Sequence, residues 1–144
     1  MSTAPLTAYL PSRLRRVRGP VLLAVAVLVA SIALHLRDPH RSGSWGYCPW
    51  LLLTGTYCPG CGGLRAVNDL TNGDLSGAAS SNLLFVGALP LVLFYWGRWV
   101  RDRWHGVTRR LTGRKVVLLA GGFGVAALAF EVARNLPVGA WLAP

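Results

Sequence analysis

The chain has 144 residues, of which 53% are hydrophobic and only 14% charged, and its 15 Lys and Arg against 5 Asp and Glu leave a net charge of +10. A soluble domain carries about 25% charged residues, so the polar surface that would keep this chain in water is missing and lipid contact is implied. A mean hydropathy of +0.43 excludes a disordered basic tail, and glycines without a fixed period exclude a collagen-like fibre.

In chain order, residues 1–19 form a basic N-terminal segment containing Arg13, Arg15, Arg16 and Arg18. The first apolar run, residues 20–36, holds no charge, and Pro20 suits a first helical turn, where its missing N–H is not needed. At the helical rise it spans about 25 Å, slightly short of a bilayer core of about 30 Å, so Arg18 and Arg37 are expected to snorkel at its ends. The second run, residues 83–100, contains Pro90, which is expected to free the carbonyl of Val86 and kink the helix, tolerable in a membrane when a neighbour re-satisfies that carbonyl. A basic loop, residues 101–115, leads to the third run, residues 116–133, and a short tail, residues 134–144, follows. In the third run Gly121, Gly122, Gly124 and Ala126 form a small-residue patch; the spacing of Gly122 and Ala126 predicts close approach of another helix.

Buried helices of a soluble core would have similar composition, but three such runs in so short a chain leave nothing to cover them. Trp45, Trp50, Tyr95, Trp96, Trp99 and Trp104 lie near the run ends, as interfacial aromatic belts do. The expected fold is an all-α membrane protein with three transmembrane helices and an extracytoplasmic interfacial or re-entrant helical segment between the first and second. The first stretch also resembles a signal sequence, but it exceeds a typical apolar core region and no small-x-small cleavage site follows, so an uncleaved anchor is expected.

Orientation follows from the basic residues. Arg13, Arg15, Arg16 and Arg18 precede the first run; Arg98, at the end of the second, and Arg101, Arg103, Arg109, Arg110, Arg114 and Lys115, after it, form the second basic cluster. The loop 37–82 has only Arg37, Arg41 and Arg65, and Arg134 alone follows the third run. Positive-inside bias places the N-terminus in the cytoplasm and the C-terminus outside. Attraction to anionic lipid accounts for the flanking arginines, so nucleic-acid binding is not expected.

The unusual chemistry lies in residues 37–82. All three cysteines, Cys48, Cys58 and Cys61, fall there, and two directly precede proline. Pro59 suits the first position of a helix running roughly from 59 to 70, with Cys58 at its N-cap, Cys61 one turn in and Arg65 on the same face. Such a position favours thiolate and makes Cys58 the expected reactive thiol. Leu64, Val67 and Leu70 would face the bilayer or the spans, with Arg65, Asn68 and Asp69 pointing elsewhere. Leu51 to Leu53 could dip into the interface, Asn72-Gly73 makes a turn, and Asp74 can cap the helix leading into the second span.

The run Cys48-Pro49, Thr54-Gly55, Cys58-Pro59-Gly60-Cys61-Gly62, Arg65-Ala66, Leu70, Gly73-Asp74, Ala78 and Asn82 resembles the domain of unknown function 2752 family of small bacterial membrane proteins. Gly63-Leu64 stands where a threonine usually follows the glycine. The resemblance implies a bacterial cytoplasmic-membrane protein and no particular activity.

Three readings of the cysteines stay open. A structural disulfide joining Cys48 to Cys58 or Cys61 is the simplest in an oxidising compartment. A zinc site would complete Cys48, Cys58 and Cys61 with His40 or His35. A redox pair would use Cys58 and Cys61 as the candidate catalytic residues, though without the βαβ context that supports such motifs. Glu131 is expected to pair with Arg134 at the third span's end, Asp69 and Asp74 to cap and face solvent, and His105 to lie on the surface. With little soluble mass for a deep pocket, the chain reads as an accessory or interaction subunit, contacting other membrane subunits or itself, rather than a self-contained enzyme. A thiol-redox or metal-handling protein is the alternative.

Overall fold

The computed structural model describes residues 13–108 and 112–144; the rest of the basic N-terminal segment and part of the second basic loop lie outside the described residues. The elements are α1 (Arg13–Leu36), α2 (Pro49–Thr54), α3 (Gly63–Thr71), α4 (Leu75–Ser81), α5 (Leu83–Trp104), α6 (Gly113–Asn135) and a terminal 3-10 segment (Pro137–Leu142). No strand occurs among the described residues, and α1, α5 and α6 are each long and apolar enough to cross a membrane. Apart from the buried Val17 and Leu34 of α1, most of their leucines and valines are exposed; Val29, Phe94 and Val125 are all more than half exposed. Apolar side chains left uncovered along a whole helix need a lipid solvent, so the chain is an all-helical membrane protein.

Pro20 does not start the first helix. It sits inside α1, because the helix already runs through Arg13 to Gly19 and exposed arginines there are good helix formers. Pro20 is buried, and the indole of Trp96 on α5 donates to its carbonyl at 3.3 Å. Beside it, a Cβ added at Gly19 would stand 3.4 Å from the Trp99 ring, so α1 and α5 approach closely at this point. α5 runs unbroken through Pro90.

The third span behaves differently. α6 makes its extensive contacts with the terminal 3-10 segment, and none of the extensive contacts joins it to α1 or α5. Added Cβ atoms at Gly121, Gly122 and Gly124 would meet nothing within 4 Å, and Ala126 is exposed, so the small-residue patch has no partner among the described residues.

Between α1 and α5 the chain folds into a cap. Asp74 caps α4, accepting from the Gly77 N–H at 2.8 Å, and this bond holds its carboxyl below the usual carboxylate range. α3 packs on α4 and on α1. Asn68 and Asp69 turn inward here rather than outward, while Leu64 is 49% exposed. The cause is the end of α1, whose last carbonyls have no helical donor. The Asn68 amide supplies one, donating to the Leu34 carbonyl at 2.8 Å.

Candidate functional site

The cysteine loop opens with Cys48 as N-cap of α2 and Pro49 in its first turn. The free N–H groups of that turn, Leu51's first, pull the Cys48 thiol below its ordinary value. Gly55, in the left-handed region at φ 70°, ends α2 and turns the chain back toward α6. There Tyr57 pairs with Asn135: the Tyr57 N–H donates to Asn135 Oδ1 and the Asn135 amide donates to the Tyr57 carbonyl, both at 2.9 Å.

Cys58 is not a helix N-cap. Residues 58–61 form a turn in which the Cys61 N–H donates to the Cys58 carbonyl at 3.1 Å, and a second turn follows from Gly63 N–H to Gly60 O at 3.0 Å. A proline suits the second position of a turn as well as the start of a helix, since both need the same φ. Gly62, at φ 81°, then blocks helical continuation, so α3 begins only at Gly63. A Cβ at Gly62 would collide with the Ser81 carbonyl, so the loop lies directly against the end of α4.

These two turns and α2 bring the sulfurs together. Cys58 Sγ and Cys61 Sγ are 3.2 Å apart, Cys61 and Cys48 3.3 Å, and Cys48 and Cys58 3.7 Å. Each separation exceeds a disulfide bond of about 2.05 Å; that of Cys48 and Cys58 matches the roughly 3.8 Å between sulfurs on one tetrahedral ion bonded at about 2.3 Å, and the two to Cys61 are about half an ångström shorter. Cys61 is buried, and desolvation, with the neighbouring thiols, pushes its thiol up to about 12.

Two buried side chains hold the loop from behind. Asn82, 1% exposed, donates to the carbonyls of Pro59 at 2.8 Å and Cys61 at 3.0 Å while its own oxygen caps α5 through the Phe85 N–H. Arg134, 2% exposed, sends Nη1 to the carbonyls of Cys58 and Cys61 and Nη2 to Leu142, all at 3.0 Å. Its guanidinium lies over the rings of Phe130 at 4.8 Å and Tyr57 at 5.7 Å. Arg134 therefore does not pair with Glu131; five fixed donors suit a fan of loop carbonyls better than one carboxylate a turn away. The signal for both residues was present: an asparagine immediately before an apolar run is a cap, and an arginine at the end of an apolar span needs a partner.

His40 is not brought to the thiols. Its Nδ1 lies 2.9 Å from Asp38 Oδ1 and its Nε2 3.3 Å from Asp69 Oδ1, so both ring nitrogens face carboxylates. His35 bonds Thr71 at 3.1 Å. Asp69 is buried rather than solvated, with Ser81 Oγ donating to it at 2.7 Å. Arg65 does not lie on a helix shared with Cys58; it stands on α3 beside the opening of the thiol cluster. His105 is exposed at the end of α5.

The fold and cap define a small polytopic helical membrane protein with a thiol cluster in the segment joining its first two spans. Residues 48–96, from Cys48 to Trp96 of α5, match the family model described as "Protein of unknown function (DUF2752)", in agreement with the resemblance carried by the CPGCG run. No curated protein and no solved structure matches the chain.

Proposed function

We propose that this protein is a metal-handling membrane protein whose cap binds a thiophilic divalent ion of the zinc class through Cys48, Cys58 and Cys61. The observation that carries this reading is the convergence of the three sulfur atoms within 4.8 Å of one another. Thiolates suit zinc-class ions, and Arg134, bonded to the carbonyls of two of the cysteines, sets a cation behind a site that would carry three thiolates. The arginine distribution further supports N-in, C-out insertion, which puts the cap outside the cytoplasm.

The full chain purified in mild detergent should carry about one zinc, lost in Cys48→Ser. Metal-free protein in which non-reducing mass spectrometry finds Cys48 joined to Cys58 or Cys61 would establish the structural disulfide instead. Interconversion of Cys58 and Cys61 between thiol and disulfide at a measurable potential would establish a redox pair.

A second reading, an accessory subunit of a membrane complex, is favoured by the open glycine face of α6. It requires a stoichiometric membrane partner, or a second copy, recovered from native membranes and released by Gly122→Leu.

A further inference from the structure

The three thiols open into a cavity of about 570 Å³, within the size range of small-molecule sites. Its wall includes Trp45, Tyr57, Arg41 and Arg65, and no aspartate, glutamate or histidine lines it among the described residues. Trp45 is fixed there, donating from its indole to the Arg37 carbonyl at 2.7 Å. Arg65 makes no ion pair among the described residues, and Arg41 is exposed. A zinc-class ion takes four ligands, and a structural site supplies all of them from protein. Among the described residues this chain brings three together, and the histidine that sequence spacing offered as the fourth is held by Asp38 and Asp69.

Resting on the metal-handling reading, we propose that the fourth coordination position belongs to an exogenous, anionic, low-molecular-weight thiolate, seated in this cavity with its carboxylate toward Arg41 and Arg65. Softness selects the donor atom, since an ion held by three sulfurs accepts a fourth readily. Charge selects the rest of the molecule. A divalent ion on three thiolates is already negative by one, so a further anion is favoured where cations line its approach, and two arginines in a lining without acidic residues provide that, Asp38, which interacts with Arg41, lying outside that lining. Entry needs no bond-breaking at carbon: the incoming thiol gives up its proton to solvent as sulfur binds the ion, and any water on the ion leaves. The site is therefore an open exchange site, able to pass the ion between the cap and a diffusible thiol carrier.

The test uses the full chain in detergent, loaded with cobalt(II) as a spectroscopic stand-in for zinc, and titrated with mercaptoacetate or neutral mercaptoethanol. Mercaptoacetate should change the cobalt d–d and sulfur charge-transfer bands saturably with the metal still bound, at about five- to tenfold lower concentration than mercaptoethanol. In the Arg41→Gln, Arg65→Gln double variant that preference should fall to about twofold or less, with cobalt affinity and stoichiometry unchanged. Arg41 is exposed and Arg65 half-buried, so an unchanged cobalt stoichiometry in the variant separates loss of charge from loss of folding. Retained cobalt with an unresponsive spectrum would overturn the open position, and removal of cobalt by either thiol without a ternary spectrum would do the same. Equal affinity for the two thiols in the unaltered protein would overturn the anion preference. Failure to bind cobalt at all would instead sink the metal-handling reading beneath it.

Discussion

In the cap, polar side chains are buried alongside small apolar ones: Asn68, Asp69, Ser81, Asn82 and, reaching in from the end of α6, Arg134 are all under 9% exposed. In the spans the other buried residues are the apolar Val17, Pro20 and Leu34 of α1, and α5 has no buried residue. Lipid removes the hydrophobic reason for helices to bury one another, so spans can stand apart while a cap of turns and short helices must satisfy each backbone group it encloses. α6 shows the consequence. It is joined to the rest of the molecule at its cap end, where Arg134 and Asn135 bond the cysteine loop, while its glycine face stays open.

Arg134→Met should break this comparison most severely. It removes three charge-assisted hydrogen bonds worth roughly 1.5–3 kcal/mol each in isolation, and after partial compensation the cap should lose about 3–5 kcal/mol. Thermal unfolding of the detergent-purified chain, together with faster proteolysis between Cys48 and Ser81, would register the loss. An unfolding midpoint equal to that of the parent would mean that α6 is anchored elsewhere.

Thiol reactivity sharpens the same contrast within the cap. With its thiol pushed up to about 12, Cys61 is almost wholly protonated at pH 8, whereas Cys48 lies below its ordinary value at a helix N-terminus. In metal-free, reduced protein, iodoacetamide should modify Cys48 at least about 100-fold faster than Cys61, as read by peptide mass spectrometry. Comparable rates would show that the cap does not enclose Cys61.

A smaller effect is expected at the α4 cap. Asp74→Ala should lower the unfolding midpoint at neutral pH. The folded-state pKa of this carboxyl is depressed, so its contribution is present above the unfolded value near 3.8 and fades as pH falls through the folded value. Parent and variant midpoints should therefore converge in acid. A gap that persists there would assign the loss to something other than the carboxylate.

The smallest effect belongs to the spans. A Cβ at Gly122 would meet nothing within 4 Å, so Gly122→Leu should leave the unfolding of the isolated chain unchanged. A clear destabilisation of the monomer would place α6 against α1 or α5.

The spans, the helical class and the position of the cysteine loop were legible in the sequence, because hydropathy and length act residue by residue and need no knowledge of neighbours. So was the cap on α4, since Asp74 bonds the Gly77 N–H only three residues away. The interior of the site was not legible. The same φ that suits Pro59 for a helix start suits it for a turn, and the choice was made by Gly62 lying against the Ser81 carbonyl, a contact between distant parts of the chain. The helix N-terminal thiol therefore became Cys48 rather than Cys58, and His40 went to Asp38 and Asp69 rather than to sulfur. Arg134 lies 73 residues beyond Cys61 in the chain, and only the folding of α6 against the cap brings its guanidinium to the carbonyls of that loop. Sequence spacing fixes which groups are available; which of them meet depends on buried donors and acceptors finding partners across the fold, and that is decided in three dimensions.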